Sequence, residues 1–110
     1  MSERERRIGR NEAIFREVNE RVEEINRTFS TLTDSMQVMC ECGELSCAEM
    51  ISITPPDYER VRSDAALFVV VPGHEIPDVE DVVEQRQGFH VVRKHPGAAT
   101  AVAEATDPRS

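Results

Sequence analysis

The chain has 110 residues, 39% of them hydrophobic, with no Trp, one Tyr and a formal net charge of −8. That length allows one domain with a small core, built mainly of Val, Ile, Leu and Phe. No apolar run reaches membrane-spanning length, and an acidic chain repels phosphate, so neither a membrane protein nor a nonspecific nucleic-acid binder is expected.

The charge is uneven. Residues 1–35 hold seven Arg and eight acids, whereas residues 36–110 hold six basic and thirteen acidic residues, or −7. Arg4, Arg6, Arg7 and Arg10 are mixed with Glu3 and Glu5 and read as a solvated helix face. The chain is charged from residue 3 onward, unlike a secretory signal, which makes the cytoplasm the expected compartment.

Residues 1–35 read as one long helix. Ser2 with Glu5 fits a capping box. Phe15, Val22 and Phe29 are seven apart, as are Val18, Ile25 and Leu32, offset by three; with Ile8 they form a heptad seam of period 3.5. Asn11 falls at a d-type position, where a polar group helps set register. Glu12–Arg16, Glu17–Arg21 and Glu23–Arg27 are ion pairs at i,i+4. A narrow regular stripe favours a second helix as its cover, so a homo-oligomer through a coiled coil is expected. The rival is an amphipathic helix lying on its own domain.

Residues 36–97 read as a small α+β domain, and 98–110 as a C-terminal tail. Met36–Cys40 and Ala48–Ile53 look extended. Thr54 can cap a short helix over 55–63, with prolines in its first turn and Tyr58 and Val61 facing the core. Leu67–Val71 is an unbroken apolar run, read as a buried central strand. Residues 77–94 match a helical face or two strands. The Val-rich halves meeting near Gln87-Gly88 favour a hairpin. Ala98–Ala105 can form a short helix, and the last four residues are expected to fray.

The chemistry lies between the first two strands, in Cys40-Glu41-Cys42-Gly43-Glu44-Leu45-Ser46-Cys47. Side chains at i and i+2 of an extended segment share a face, so Cys40 and Cys42 can reach one ion. Gly43 permits a sharp turn that brings Cys47 back. A fourth ligand must come from elsewhere, and His74 is preferred because Pro72-Gly73 fixes a turn that can aim its imidazole. His90 lies in an apolar run and His95 near the chain end; Glu41 and Glu44 are carboxylate alternatives.

Three thiolates and one imidazole suit tetrahedral zinc, and an iron–sulfur cluster lacks its fourth thiolate. Clustering within eight residues argues against ordinary buried thiols, and the odd count against a disulfide. Glu41, Glu44 and Glu49 would raise a bare thiol's pKa, which disfavours a reactive cysteine.

The stretch Cys-Glu-Cys-Gly…Cys-Ala-Glu…Ile-Ser-Ile-Thr…Asp-Tyr-Glu-Arg-Val-Arg-Ser-Asp…Phe-Val-Val-Val-Pro-Gly-His-Glu resembles a group of small proteins of high-GC Gram-positive bacteria, the actinobacterial type. The opening Asn-Glu-Ala-Ile-Phe-Arg-Glu-Val-Asn-Glu-Arg is similar to the same group. The resemblance covers residues 8–95 and implies the same four ligands, by analogy, and no activity.

The expectation is an α+β protein: a long N-terminal helix, then a small mixed or antiparallel sheet with one short helix, stapled by structural Zn2+ on Cys40, Cys42, Cys47 and His74. A closed site leaves no position for substrate, so a protein-interaction or regulatory module is expected rather than an enzyme. The alternatives are a thiol/zinc redox or metal sensor, and a zinc hydrolase with an open fourth position.

Overall fold

The structure, a computed structural model, describes residues 3–29, 35–44 and 46–109, and the side chains of these except for 26–29. The Ser2 capping box, the Phe29 side chain and Leu32 of the seam lie outside the described residues. The fold is α+β. A long helix α1 (Glu3–Phe29) leads into strands β1 (Met36–Met39) and β2 (Met50–Ile53). Helix α2 (Pro55–Arg62) and strand β3 (Leu67–Val70) follow. Strands β4 (Glu80–Arg86) and β5 (Phe89–Lys94) form a hairpin, and α3 (Ala98–Ala105) closes the chain. No helix among the described residues is long and apolar enough to cross a membrane.

β1 and β2 pair antiparallel, Met36 opposite Ile53 and Val38 opposite Ile51. Those four side chains are buried, while Gln37 and Ser52 between them face solvent, the alternation a half-buried sheet requires. Thr54 caps α2 as its position suggests, accepting from Asp57 N at 3.2 Å. Tyr58 and Val61 on its inner face are fully buried.

The second sheet has the order β3-β5-β4, all antiparallel. β5 is therefore central and β3 lies at an edge, contrary to the expectation for Leu67–Val71. β3 is apolar because its outer edge is also covered. Glu41 N donates to Val69 O at 2.8 Å, and Val69 N donates back to Glu41 Oε1 at 3.0 Å. The Cys40–Glu41 segment thus fastens one sheet to the other.

α1 lies on this assembly, and its seam is divided. Phe15 is buried and Val22 packs on the core. Val18 and Ile25 face solvent at 39% and 61% exposure. The rest of the inward face is polar: Glu12, Arg16, Asn19 and Glu23 are buried. Glu17 and Arg21 pair at 3.7 Å as expected. Glu12 and Arg16 do not pair but reach inward to other elements. Arg16 donates to Ala65 O and Ala103 O, both at 2.7 Å, and its guanidinium lies 4.5 Å from the Phe68 ring centre. Lys94 Nζ contacts Glu12 Oε2 at 2.5 Å and Glu80 Oε1 at 2.6 Å. The chain end is tied down: Arg109 pairs with Glu20 and Glu23 of α1 at 2.9 Å and with Glu59 of α2 at 2.6 Å. Those ion pairs oppose the fraying expected there.

Candidate metal centre

Cys40 and Cys42 follow β1, with both sulfurs on one side of the chain and Glu41 on the other. Gly43 then turns the backbone at φ 79°. A Cβ there would stand 3.0 Å from Glu12 Cγ and 3.1 Å from the Ile8 carbonyl oxygen, so α1 and the torsion both require glycine. Asn11 holds the turn from above, its Nδ2 donating to Gly43 O at 2.8 Å. That is the position the heptad pattern assigned to register. Cys47 returns by a turn in which its N donates to Glu44 O at 2.9 Å. His74 ends the Pro72-Gly73 turn, closed by His74 N to Val71 O at 2.9 Å.

The ligand atoms of Cys40, Cys42, Cys47 and His74 lie within 4.8 Å of one another. His74 Nδ1 stands 3.6 Å from both Cys40 Sγ and Cys47 Sγ. Cys40 and Cys42 are buried, Cys47 and His74 half-buried. The cluster is thus placed to hold a metal ion.

The other candidates are engaged elsewhere. His90 faces Glu75 at 3.4 Å and His95 faces Asp81 at 3.2 Å. Glu44 accepts from Ser46 Oγ at 3.1 Å, and Glu41 points into the core.

Backbone amides prepare the sulfurs for negative charge. Val71 N donates to Cys40 Sγ at 3.1 Å. Glu44 N and Glu49 N donate to Cys42 and Cys47. A hydrogen bond from the Cys40 thiol draws the Cys42 thiol down to about 5. That bond, with burial, pushes Cys40 well above the usual thiol range, and burial raises Cys47. Cys42 is therefore the thiol that ionises first, against the rise expected from the neighbouring acids, because its hydrogen-bonded neighbour outweighs them. A cation at the centre would favour the thiolate form of all three.

Two carboxylates support the site from behind the ligands, and Glu41 is one of them in place of the ligand role it was offered for. Glu49 Oε2 lies 3.0 Å from His74 Nε2. A proton held on Nε2 toward Glu49 leaves the Nδ1 lone pair aimed at the sulfurs, the carboxylate–histidine arrangement common behind metal ligands. Glu41 holds the loop from the core side. Its Oε2 accepts from Asn19 Nδ2 at 2.8 Å and from Tyr58 OH at 3.1 Å. Its Oε1 accepts from Val69 N and, at 3.4 Å, from Arg62 Nη2. Strand alternation alone places a residue between two same-face cysteines on the opposite side, so the direction of Glu41 was available from sequence. Its four donors come from α1, α2 and β3 and were not.

Comparison with protein-family models, with curated proteins and with solved structures found no match.

Proposed function

We propose that this chain is a zinc protein whose ion is structural and that it acts in the cytoplasm as a protein-interaction module. The observation that supports zinc most is the spacing around His74 Nδ1. Tetrahedral zinc with ordinary Zn–S and Zn–N bonds puts sulfur and nitrogen about 3.6 Å apart. The separations from His74 Nδ1 to Cys40 Sγ and to Cys47 Sγ, two of the three in the cluster, are both 3.6 Å. Three thiolates and one neutral imidazole also match the softness that zinc prefers.

A structural role follows from the ligand count and from the fold. Four protein ligands fill a tetrahedron, which leaves no position for a substrate or an activated water and disfavours a hydrolase. The loop that carries three of them is the same segment that fastens β1 to β3. The acidic balance of residues 36–110 argues for a protein partner over nucleic acid.

Elemental analysis of protein purified without added metal is expected to find one zinc per chain. Cys47→Ser and His74→Ala should each lower that content and the thermal midpoint. A metal-free protein that melts as cooperatively as the loaded one would refute the structural ion. Full zinc content in His74→Ala would show that another group supplies the fourth ligand.

A further inference from the structure

A cleft of about 430 Å³ opens between the first turns of α1 and the metal loop. That volume is within the range of small-molecule sites, roughly 300–1,000 Å³. Arg4, Arg7, Ile8 and Asn11 line it from the helix; at i, i+3, i+4 and i+7 they share one face of α1. Gly43 and Glu44 line it from the loop, and Ile76 of the segment before β4 completes the lining.

The fold holds these walls in place. Asn11 Nδ2 donates to Gly43 O at 2.8 Å. Ile76 N donates to Glu80 Oε2 at 3.0 Å, and Ile76 O accepts from Val79 N and Glu80 N at 3.0 and 3.2 Å. Arg4 Nη1 pairs with Asp78 Oδ2 at 2.9 Å, which joins α1 to the segment that carries Ile76.

Two charges in the lining are left over. Arg7 is exposed and has no ion-pair partner among the described residues. Glu44 is exposed too, and its carboxylate accepts from the Ser46 hydroxyl and amide at 3.1 and 3.4 Å, with no cation paired to it among the described residues. They stand on different walls and do not pair with each other. Ile8 and Ile76, both half-buried, supply the apolar part of the lining. A ligand with one charge would answer one wall and meet its like charge on the other. Phosphate would meet Asp78 as well as Glu44. A molecule that carries both signs on an aliphatic body answers both walls and the apolar residues together.

We infer that this cleft binds a small aliphatic α-amino acid. Its carboxylate takes the Arg7 guanidinium, its ammonium takes the Glu44 carboxylate and Asn11 Oδ1, and its side chain covers Ile8 and Ile76. The inference rests on the lining of the cleft and not on the ion in the metal centre.

Titration of the full chain with L-leucine up to about 20 mM, followed by proton–nitrogen correlation spectra, covers the millimolar affinity that so small a ligand provides. The amides of Ile8, Asn11, Gly43, Glu44 and Ile76 are expected to shift along one saturating curve. Isocaproate, which lacks the ammonium, and isopentylamine, which lacks the carboxylate, should each bind at least about tenfold more weakly. Arg7→Glu should abolish the saturating shift, and Glu44→Gln should weaken leucine without weakening isocaproate. Unchanged signals far from the cleft show that each variant keeps its fold. A wild-type chain that shows no saturation at the highest concentration overturns the proposal. So does leucine binding that survives Arg7→Glu. Isocaproate or inorganic phosphate binding as tightly as leucine overturns the amino acid and leaves a simple anion site.

Discussion

Glu41 is a carboxylate with no access to water, placed between two metal-ligand candidates and met by four donors. Removing it would leave the Arg62 guanidinium, whose Nε and Nη1 already lack partners, with the Leu67 carbonyl and no carboxylate, and free the Tyr58 hydroxyl. Breaking one side of a buried ion pair typically costs about 3–5 kcal/mol. Glu41→Ala is expected to lose about that much in urea unfolding, with Glu41→Gln losing less because it keeps acceptor capacity. A loss below about 1 kcal/mol for Glu41→Ala would mean that the network is not held as tightly as its geometry indicates.

Glu12 gives a pH dependence whose sign can be worked out. Burial pushes its carboxyl up to about 8 from 4.5, although the Lys94 ammonium pulls it back. Between those two values the folded chain keeps a proton that the unfolded chain has released, so this group's contribution to stability falls as pH rises through the window. Glu12→Gln keeps an oxygen for Lys94 and cannot ionise. Its stability relative to the wild type should improve between about pH 5 and pH 8. Parallel stability curves over that range would remove Glu12 as the source.

At the scale of elements, α1 acts as a clamp on the metal loop. Its Asn11 side chain and Ile8 carbonyl bracket Gly43, and its Asn19 amide serves as both donor and acceptor to the β1 backbone, at 2.8 Å to Met39 O and 2.7 Å from Met39 N. Gly43→Ala must place a Cβ against Ile8 O while holding φ at 79°. We expect it to cost about 2 kcal/mol and to speed loss of zinc to a chelator. An unchanged chelation rate would show that the loop does not depend on the clamp.

The elements themselves were largely legible in the sequence. Period-2 burial in β1 and β2, the Thr54 cap and the Gln87-Gly88 hairpin all follow from local chemistry. The rank of β3 in its sheet did not, because an unbroken apolar run reports burial of both faces and says nothing about which neighbour covers the edge. The helix seam was misdivided for a related reason. Half of what α1 buries is charged, and a pattern built on apolar residues cannot see Arg16 stacked on Phe68 or Glu12 joined to Lys94. The four metal-ligand candidates were readable because ligand chemistry is scarce in a short chain. Glu49 behind His74 was not, since nothing in its spacing separates it from the other surface acids.

For the whole molecule, interior charge takes much of the place of a larger apolar core. Among the described residues, four acids, Glu12, Glu23, Glu41 and Glu80, are buried with three bases, Arg16, Arg62 and Lys94, and Arg109 reaches in to answer Glu23. Replacing such groups by apolar ones often costs little, but breaking them singly costs much. The interior therefore tolerates few individual changes and defines how α1, α2, α3 and the two sheets meet.

The position of the cysteines along the chain has a consequence for how an ion and the folded state depend on each other. Three of the four candidate ligands sit within eight consecutive residues, and only His74 must be delivered by long-range folding. A denatured chain therefore retains three thiols close enough to grip a thiophilic ion by themselves. Because ligation of the denatured chain would offset part of what ligation gives the native one, the stabilisation from a bound ion would fall short of the value its native affinity alone implies. The same local trio lets the ion arrive before tertiary structure does, so that metal capture can precede, and organise, the joining of the two sheets.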